Sequence, residues 1–142
     1  MSRPERLLLD THVWLWLALG TPKKIAPAAR KIIEEVGRSV GVLVSIVSIW
    51  EIAQLEARRR IVLPLPLYDW VALALNRPEI KLVGLSRPAT VIDSVNLPGE
   101  PHADPADRFL IATARARRAA LVTHDEKIIE YGKAGHVKVM AV

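Results

Sequence analysis

Short, continuously apolar runs alternate with segments that carry helix signals along the whole chain. The apolar runs suit strands covered on both faces of a sheet. Proline at a first-turn position opens several of the other segments, and Gly37 is expected to end the helix that begins at Pro27. The pattern predicts strands at 7–10, 40–45, 80–85, 120–123 and 137–139, and helices at 11–19, 27–36, 46–60, 67–75, 86–95, 104–118 and 126–131.

Strands that alternate with helices indicate an α/β fold, a three-layer sandwich with a mostly parallel central sheet flanked by helices. A chain of 142 residues fits one domain, and we expect residues 1–142 to form it. At this length a single core buries roughly two-thirds of the surface of the unfolded chain. The fold therefore needs no disulfide or other staple.

Acidic residues stand where predicted strands end and helices begin. Asp10 ends the first apolar run, Asp125 follows the run at 120–123, Glu51 lies just after the run at 40–45, and Asp107 lies at the start of the helix at 104–118. An open parallel sheet gathers ligands at the carboxyl ends of its strands. Crowded carboxylates repel one another, and a hard divalent cation is the usual remedy. The placement indicates a metal site.

Each acid also has a structural explanation as a helix cap. Asp10 is placed to cap the helix at Thr11, and Asp125 the helix at Glu126. A cap leaves one carboxylate oxygen free, so capping and metal binding can coexist. Taken singly, these acids are ambiguous; capping does not explain why four of them are placed where one sheet edge could collect them.

The other two acids carry similar alternatives. Ser48 and Glu51 match a capping box, with serine at the N-cap and glutamate three residues later. Asp104 is the expected N-cap of the helix opened by Pro105, which leaves Asp107 as the better ligand candidate. Glu51 is flanked by apolar residues, and a partly buried carboxylate needs a partner.

Composition and charge narrow the function. The absence of cysteine excludes disulfides, zinc–thiolate sites and thiol nucleophiles. The net charge is +5, with cations grouped at 23–24, 58–60 and 115–118. Such groups are often only solvated helix faces, but a basic surface around an acidic metal pocket suits a polyanion held by its phosphates. The apolar run 13–19 is too short for a membrane span of roughly 20 residues, and we expect a cytoplasmic protein without a membrane segment.

Histidines and tryptophans give weaker signals. His12, His102 and His124 lie next to acids, where a histidine is more often a hydrogen-bonded structural residue than a metal ligand. All of the tryptophans fall in apolar helical stretches and are interpreted as core or interface residues rather than as platforms for base stacking; they are Trp14, Trp16, Trp50 and Trp70. The helices at 11–19 and 67–75 carry more apolar surface than one buried face requires. That surface indicates either deep burial or an interface with a partner.

Taken together, the segments that hold the acids resemble those of PIN-domain nucleases, and more narrowly the VapC-type ribonuclease toxins of toxin–antitoxin pairs. The resemblance rests on four stretches in the family's order: LLDTHVW at 8–14, SIWEIA at 48–53, HADPADRFLIA at 102–112 and LVTHD at 121–125. One such motif is weak, whereas four in order over essentially the whole chain are strong.

The resemblance implies a PIN-like fold and a metal-dependent endoribonuclease that hydrolyses RNA phosphodiester bonds. It also implies Mg²⁺ or Mn²⁺, a homodimer, and an antitoxin protein that covers the active-site groove. The family's acidic quartet falls on Asp10, Glu51, Asp107 and Asp125, and Asp104 matches an extra acid of one branch. Three hydroxyl residues are expected to orient the metal ligands by hydrogen bonds: Thr11, Ser48 and Thr123. Arg108 is a candidate for a phosphate contact or, alternatively, for an outward salt bridge.

Other classes remain open on these residues. A phosphorylated receiver-like domain is also α/β with an acidic pocket, but the segment after Val83 lacks the aspartate expected at the end of a middle strand. A non-catalytic RNA-binding module on the same scaffold would not need the full quartet. Within the nuclease class, a housekeeping RNA-processing enzyme is the alternative to a toxin.

Overall fold

The structure is a computed structural model that describes residues 5–21 and 24–142. Lys23, one of the grouped cations, lies outside these residues. The elements follow one another along the chain as β1 Arg6–Leu9, α1 Thr11–Leu19, α2 Pro27–Ser39, β2 Val42–Ser45, α3 Ile46–Ala57, α4 Leu67–Leu75, β3 Ile80–Val83, α5 Pro88–Val95, α6 Pro105–Arg117, β4 Ala119–Thr123, α7 Glu126–Lys133 and β5 Val139–Ala141.

The five strands form one sheet in the order β3-β2-β1-β4-β5, and every neighbouring pair is parallel. Strand β1 is central, with Leu8 in register with Leu43 on one side and Leu121 on the other. The chain first winds outward from β1 to β3 and then returns to place β4 against β1. The strand order therefore reverses between β1 and β4, where open parallel sheets bind their ligands.

Each face of the sheet has its own hydrophobic core. Leu7 and Leu9 of β1 pack in one core with Trp14 of α1, whereas Leu8 packs in the other with Leu110 of α6. Successive side chains of a strand point to opposite faces, so a strand buried on both sides must be apolar throughout. The three-layer α/β prediction is confirmed.

Most element boundaries differ from the sequence prediction by one to three residues, and three of these differences are described here. Gly37 does not stop α2, which continues to Ser39; a Cβ at this position would lie 3.1 Å from the Cβ of Glu79, so the glycine permits close packing. Helix α3 ends at Ala57 rather than at residue 60, because Arg59 adopts a left-handed conformation with φ of 57°. The last strand begins at Val139, two residues later than predicted.

The two apolar helices differ in their exposure. Deep burial explains the first half of α1, where Val13 is 0% and Trp14 1% exposed. Helix α4 instead presents part of its apolar surface to solvent, with Tyr68 91% and Leu73 60% exposed. Within residues 5–21 and 24–142, no helix is both long enough and apolar enough to cross a membrane.

Candidate metal centre

Asp10 lies where β1 passes into α1, and it is both a cap and a component of the acidic site. Its Oδ1 accepts a hydrogen bond of 2.7 Å from the backbone N–H of Thr11, and its Oδ2 accepts one of 2.7 Å from the hydroxyl of Thr123. The backbone N–H of Asp10 also donates to the carbonyl of Val122 at 2.9 Å. The first residue of α1 therefore orients one carboxylate oxygen of Asp10, and the last residue of β4 orients the other.

Glu51 lies within α3, and the capping-box explanation for it is wrong. The N-cap is Ser45, whose hydroxyl accepts from the N–H of Val47 at 3.0 Å, so Ser48 already lies inside the helix. The helix begins earlier because it follows β2 without a loop. Glu51 instead accepts a hydrogen bond from the hydroxyl of Thr11, which also contacts the Ser48 hydroxyl at 2.8 Å. Helix α3 thus turns Glu51 toward α1.

The acids of α6 divide their roles as the sequence suggests. Asp104 caps the helix by accepting from the N–H of Ala106 at 2.9 Å. Asp107, in the first turn, is only 7% exposed. Carboxylate oxygens of Asp10, Glu51 and Asp107 all lie within 4.8 Å of one another, whereas Asp104 lines the same cavity from its exposed rim. Three different elements therefore supply one compact carboxylate cluster.

Asp125 caps α7 and stands on the far side of Asp107. Its Oδ1 accepts from the N–H groups of Lys127 at 2.8 Å and Ile128 at 3.2 Å. Its own N–H donates to the Thr123 hydroxyl at 3.0 Å, so one threonine is bonded to two of the acids. The second oxygen, Oδ2, is the one that faces the cavity and the imidazole of His102.

His102 bridges the two acids on this side of the cavity. Its Nε2 lies 3.2 Å from Oδ2 of Asp107 and 3.5 Å from Oδ2 of Asp125, while its Nδ1 accepts from the N–H of Asp104 at 3.0 Å. An Nδ1 that accepts carries no proton, so this bond assigns the proton to Nε2. His102 then acts as a donor to the carboxylates, which agrees with the structural role predicted for it.

Burial and mutual repulsion raise the pKa values of the three clustered acids. Burial is the main cause that raises the pKa of Asp10 and of Glu51, against the opposing hydrogen bonds from Thr123 and Thr11. The pKa of Asp107 rises from 3.8 to about 8, first because the group is buried and then because the charges of neighbouring acids repel its own. Removing charged groups from water and crowding them together both disfavour the ionised form.

The donor set fits a hard divalent cation. Carboxylate oxygens are the ligands that Mg²⁺, Mn²⁺ and Ca²⁺ prefer, and no lysine or arginine is among the described residues that line the cavity. Arg108 is half-buried and lies near the phenol of Tyr131, where its charge lowers the pKa that burial raises. It is not among the cavity-lining residues and forms no ion pair with the described part of the chain. An outward salt bridge of Arg108 is therefore not found among the described residues, and the phosphate contact stays a prediction.

Sequence reasoning missed the aromatic side of this cavity. His12, Trp16 and His124 line it together with the acids. The interpretation of the tryptophans as core or interface residues holds for Trp14 and Trp70, which are 1% and 5% exposed. Trp50 is 51% exposed. Half-buried Trp16 packs against the core that contains Trp14, as predicted, but it also lines the cavity, which was not predicted. The spacing could have shown this, because His12 and Trp16 are four residues apart and so share one face of α1.

A parallel α/β sheet that collects two buried carboxylates and one half-buried carboxylate at its strand-order reversal defines a class of candidate metal-dependent enzymes. The model of the PIN domain family matches residues 7–134, which is most of the chain. The chain belongs to the PIN-domain family, and the family prediction from the four motifs is confirmed.

One relative and two solved structures illustrate the similarity. Ribonuclease VapC22 of Mycobacterium tuberculosis (strain ATCC 25618 / H37Rv) is 32% identical over 122 residues, which cover 86% of this chain and 88% of that protein. The structure of VapBC2 from Rickettsia felis, bound to a DNA fragment from their promoter, matches with a TM-score of 0.67 at 13% identity, over 95% of this chain and 97% of that chain. VapBC-1 from nontypeable Haemophilus influenzae matches with a TM-score of 0.60 at 14% identity, over 95% and 96%. At these identities the two structures support the fold alone.

Proposed function

We propose that this chain is a divalent-metal-dependent endoribonuclease that hydrolyses RNA phosphodiester bonds, and that it is the toxin of a toxin–antitoxin pair. One observation carries the activity: Asp10, Glu51 and Asp107 come from three elements and bring carboxylate oxygens within 4.8 Å of one another in a mostly buried position. Bringing these charges together disfavours ionisation, and helix capping explains only Asp10 among the three. A cation bound by them would relieve the repulsion.

Asp10, Glu51 and Asp107 would hold Mg²⁺ or Mn²⁺, and Asp125 would contribute at a second position or through water. A bound divalent ion would supply an activated water and neutralise charge that develops on the phosphate. The chain's own residues fix the ligands: Thr123 holds Asp10 and the backbone of Asp125, and Thr11 holds Glu51. Such bonds to metal ligands set their orientation before the substrate arrives.

The substrate class is supported from two sides. The relative from Mycobacterium tuberculosis is named a ribonuclease, and it shares 32% identity over 86% of this chain. The chain itself carries a net charge of +5 despite its acidic centre, which favours the approach of a polyanion such as RNA to the protein as a whole. The whole chain would act as one domain in this role.

The test is cleavage of a mixed RNA pool with the cut sites mapped, with Mg²⁺ or Mn²⁺ and with EDTA. We expect metal-dependent cleavage that Glu51→Gln and Asp107→Asn abolish, although both substitutions keep the shape of the side chain and its ability to accept a hydrogen bond. Asp69→Asn, which changes an exposed acid in the first turn of α4, is the matched control and should cleave normally. If either site variant still cleaves RNA, the assignment of that residue is refuted. It is also refuted if circular dichroism shows that the variant has lost cleavage only because it is unfolded.

A non-catalytic RNA-binding module is the main alternative to the enzyme. It would bind RNA equally well with EDTA and would tolerate Asp107→Asn. The carboxylate cluster speaks against it, because acids buried beside a polyanion site weaken binding unless a cation accompanies them.

The motifs of this chain resemble those of VapC-type toxins, and the relative that is 32% identical is named VapC22, so a protein partner is expected for this chain. We propose that an antitoxin covers the acidic cavity and that the chain forms a homodimer in the cytoplasm. Exposed apolar side chains suited to such interfaces lie on α4, at Leu73, and on α5, at Ile92 and Val95, which are 60%, 59% and 74% exposed. Sedimentation of the purified chain, alone and with the small protein encoded beside it, would show a dimer and a larger complex.

A housekeeping RNA-processing nuclease would share the same site without needing an inhibitor. If the wild-type chain is abundant, active and harmless in its own host without a partner, the toxin proposal fails and the housekeeping enzyme replaces it.

A further inference from the structure

An aromatic cluster adjoins the carboxylates in the same cavity. His12 and Trp16 lie one turn apart on α1, with ring centroids 6.2 Å apart. His124, just after β4, stands edge-on to Trp16 at 5.6 Å and an interplanar angle of 74°. Together with the acids they line a cavity of about 310 Å³. The catalytic roles proposed above use none of these three rings.

The indole of Trp16 has a face that an adaptable side chain covers. The Nζ of Lys24 lies 5.9 Å from the ring centroid, within the range of a cation–π contact, and Lys24 is exposed. An exposed lysine can move aside at little cost, because its side chain keeps its freedom in water. Lys24 is not among the described residues that line the cavity, so it leaves the cavity side of the indole open to a flat ligand and remains close enough to pair with a phosphate.

We propose that Trp16, with His12 and His124 at its edges, is a nucleobase subsite that stacks the base next to the scissile phosphate, with Lys24 contacting the RNA backbone. This inference rests on the proposed ribonuclease function. Single-stranded nucleic acids are held by aromatic platforms combined with cations in this way. The cavity is at the lower end of the size range of ligand pockets, so it suits one nucleotide rather than a duplex.

The position of the ring favours a nucleobase over a side chain of a protein partner. The acids proposed to act on the phosphodiester share a cavity with Trp16, so a base that enters it belongs to a nucleotide flanking the cut. A stacked base adds affinity for every sequence and only a modest preference among bases, since each base has a π face.

The experiment combines variants of the protein with abasic RNA. A short RNA that spans a mapped cut site is prepared intact and with a single abasic nucleotide at each position around the cut, and kcat/KM is measured for wild type, Trp16→Leu and Trp16→Phe. Trp50→Leu is the control, because Trp50 is an exposed tryptophan on α3 that is not among the cavity-lining residues. Circular dichroism checks that each variant is folded.

We expect Trp16→Leu to lower kcat/KM on intact RNA by roughly ten-fold to a hundred-fold, the usual effect of losing one stacked base. Trp16→Phe should recover much of the loss, and Trp50→Leu should show none. On the RNA that is abasic at the stacked position, wild type and Trp16→Leu should be equal. If Trp16→Leu does not fold, Trp16→Phe still carries the test, because its defect must vanish at one abasic position.

If Trp16→Leu lowers kcat/KM by the same factor on intact RNA and on every abasic RNA, the ring does not stack a base, and the subsite is refuted while the nuclease function stands. The subsite is also refuted by normal cleavage by Trp16→Leu together with lost inhibition by the adjacent small protein, which would place a protein side chain on this ring. Absence of RNA cleavage by the wild-type chain would instead refute the proposed function on which the subsite depends.

Discussion

Replacing Asp107 by asparagine should change the stability of the metal-free protein in a way that depends on pH. The folded protein raises the pKa of Asp107 from 3.8 to about 8. Between these values the folded chain keeps a proton that the unfolded chain releases. The free energy of unfolding therefore falls as pH rises, because the folded state binds more protons than the unfolded state over this range. The amide of the Asp107→Asn variant has no such proton, so this variant should lack that part of the slope.

The size of the effect follows from the two pKa values of this buried group. Each pKa unit is equivalent to about 1.4 kcal/mol, so the difference between 3.8 and about 8 has a ceiling of about 6 kcal/mol. Between about pH 5 and pH 7.5 the wild type should lose about 3 kcal/mol through Asp107. The pKa values of Asp10 and Glu51 are also raised, so both residues add to the decrease of wild-type stability with pH. They add less in the Asp107→Asn variant, because that variant lacks one of the repelling charges.

The assay is urea denaturation of EDTA-treated protein at several pH values, with the free energy of unfolding taken from linear extrapolation. We expect wild type and Asp107→Asn to be of similar stability near pH 5, and the variant to be the more stable one by about 3 kcal/mol near pH 7.5. Adding Mg²⁺ or Mn²⁺ should restore the wild type and help the variant less.

A wild-type stability that does not change between those pH values would refute the reasoning, because a carboxyl group with this pKa must contribute a slope. Parallel curves for wild type and variant would show that another group is responsible. Asp69→Asn, which alters an exposed acid, should run parallel to wild type and serves as the control.

Further predictions concern the ligands, the caps and the partner. Mg²⁺ or Mn²⁺ at a hundred times its dissociation constant should add about 2.7 kcal/mol to the metal-free protein; in a thermal-shift assay Asp10→Asn should respond less, and an equal response would place the metal elsewhere. Thr123→Val removes the bonds to Asp10 and to the N–H of Asp125, and should weaken metal binding in calorimetry by roughly 10- to 100-fold; unchanged affinity would contradict a positioning role. Ser45→Ala should cost about 1 kcal/mol in urea denaturation through loss of the α3 cap, with cleavage by the folded variant unchanged. Expression of the chain alone should slow growth, and both Asp10→Asn and co-expression of the adjacent small protein should relieve it; growth curves in which Asp10→Asn is as harmful as wild type would exclude nuclease activity as the cause.

The sequence was most informative where local chemistry and tertiary structure agree. Helices α1 and α4 begin and end where predicted, and Asp104, Asp10 and Asp125 cap the helices assigned to them. These features depend on short-range hydrogen bonds and on the period of apolar residues, which a single sequence contains. The order of the strands in the sheet, in contrast, could not be predicted from the sequence and is known only from the structure.

The errors arose where a distant contact decides the outcome. Gly37 looked like a helix stop, but the approach of Glu79 explains it. Ser48 and Glu51 fitted a capping box, yet their partner is Thr11, thirty-seven residues before Ser48. Trp16 lies in an apolar stretch; its spacing from His12 places the two on one face of α1, but the packing of α1 against β4 is needed to bring that face to the cavity.

The hydroxyl of Thr123 bonds to the carboxylate of Asp10 across 113 positions of the chain. The acids therefore cannot assemble until β4 has paired with β1, because β4 supplies both this hydroxyl and one of the two strands beside β1. A ribosome that is still making the chain exposes Asp10 and Glu51 long before Thr123, Asp107 and Asp125 exist. If the chain is a toxin that cuts RNA, the nascent polypeptide cannot assemble this site, and so cannot cut the message it is read from, until Asp125 has been translated.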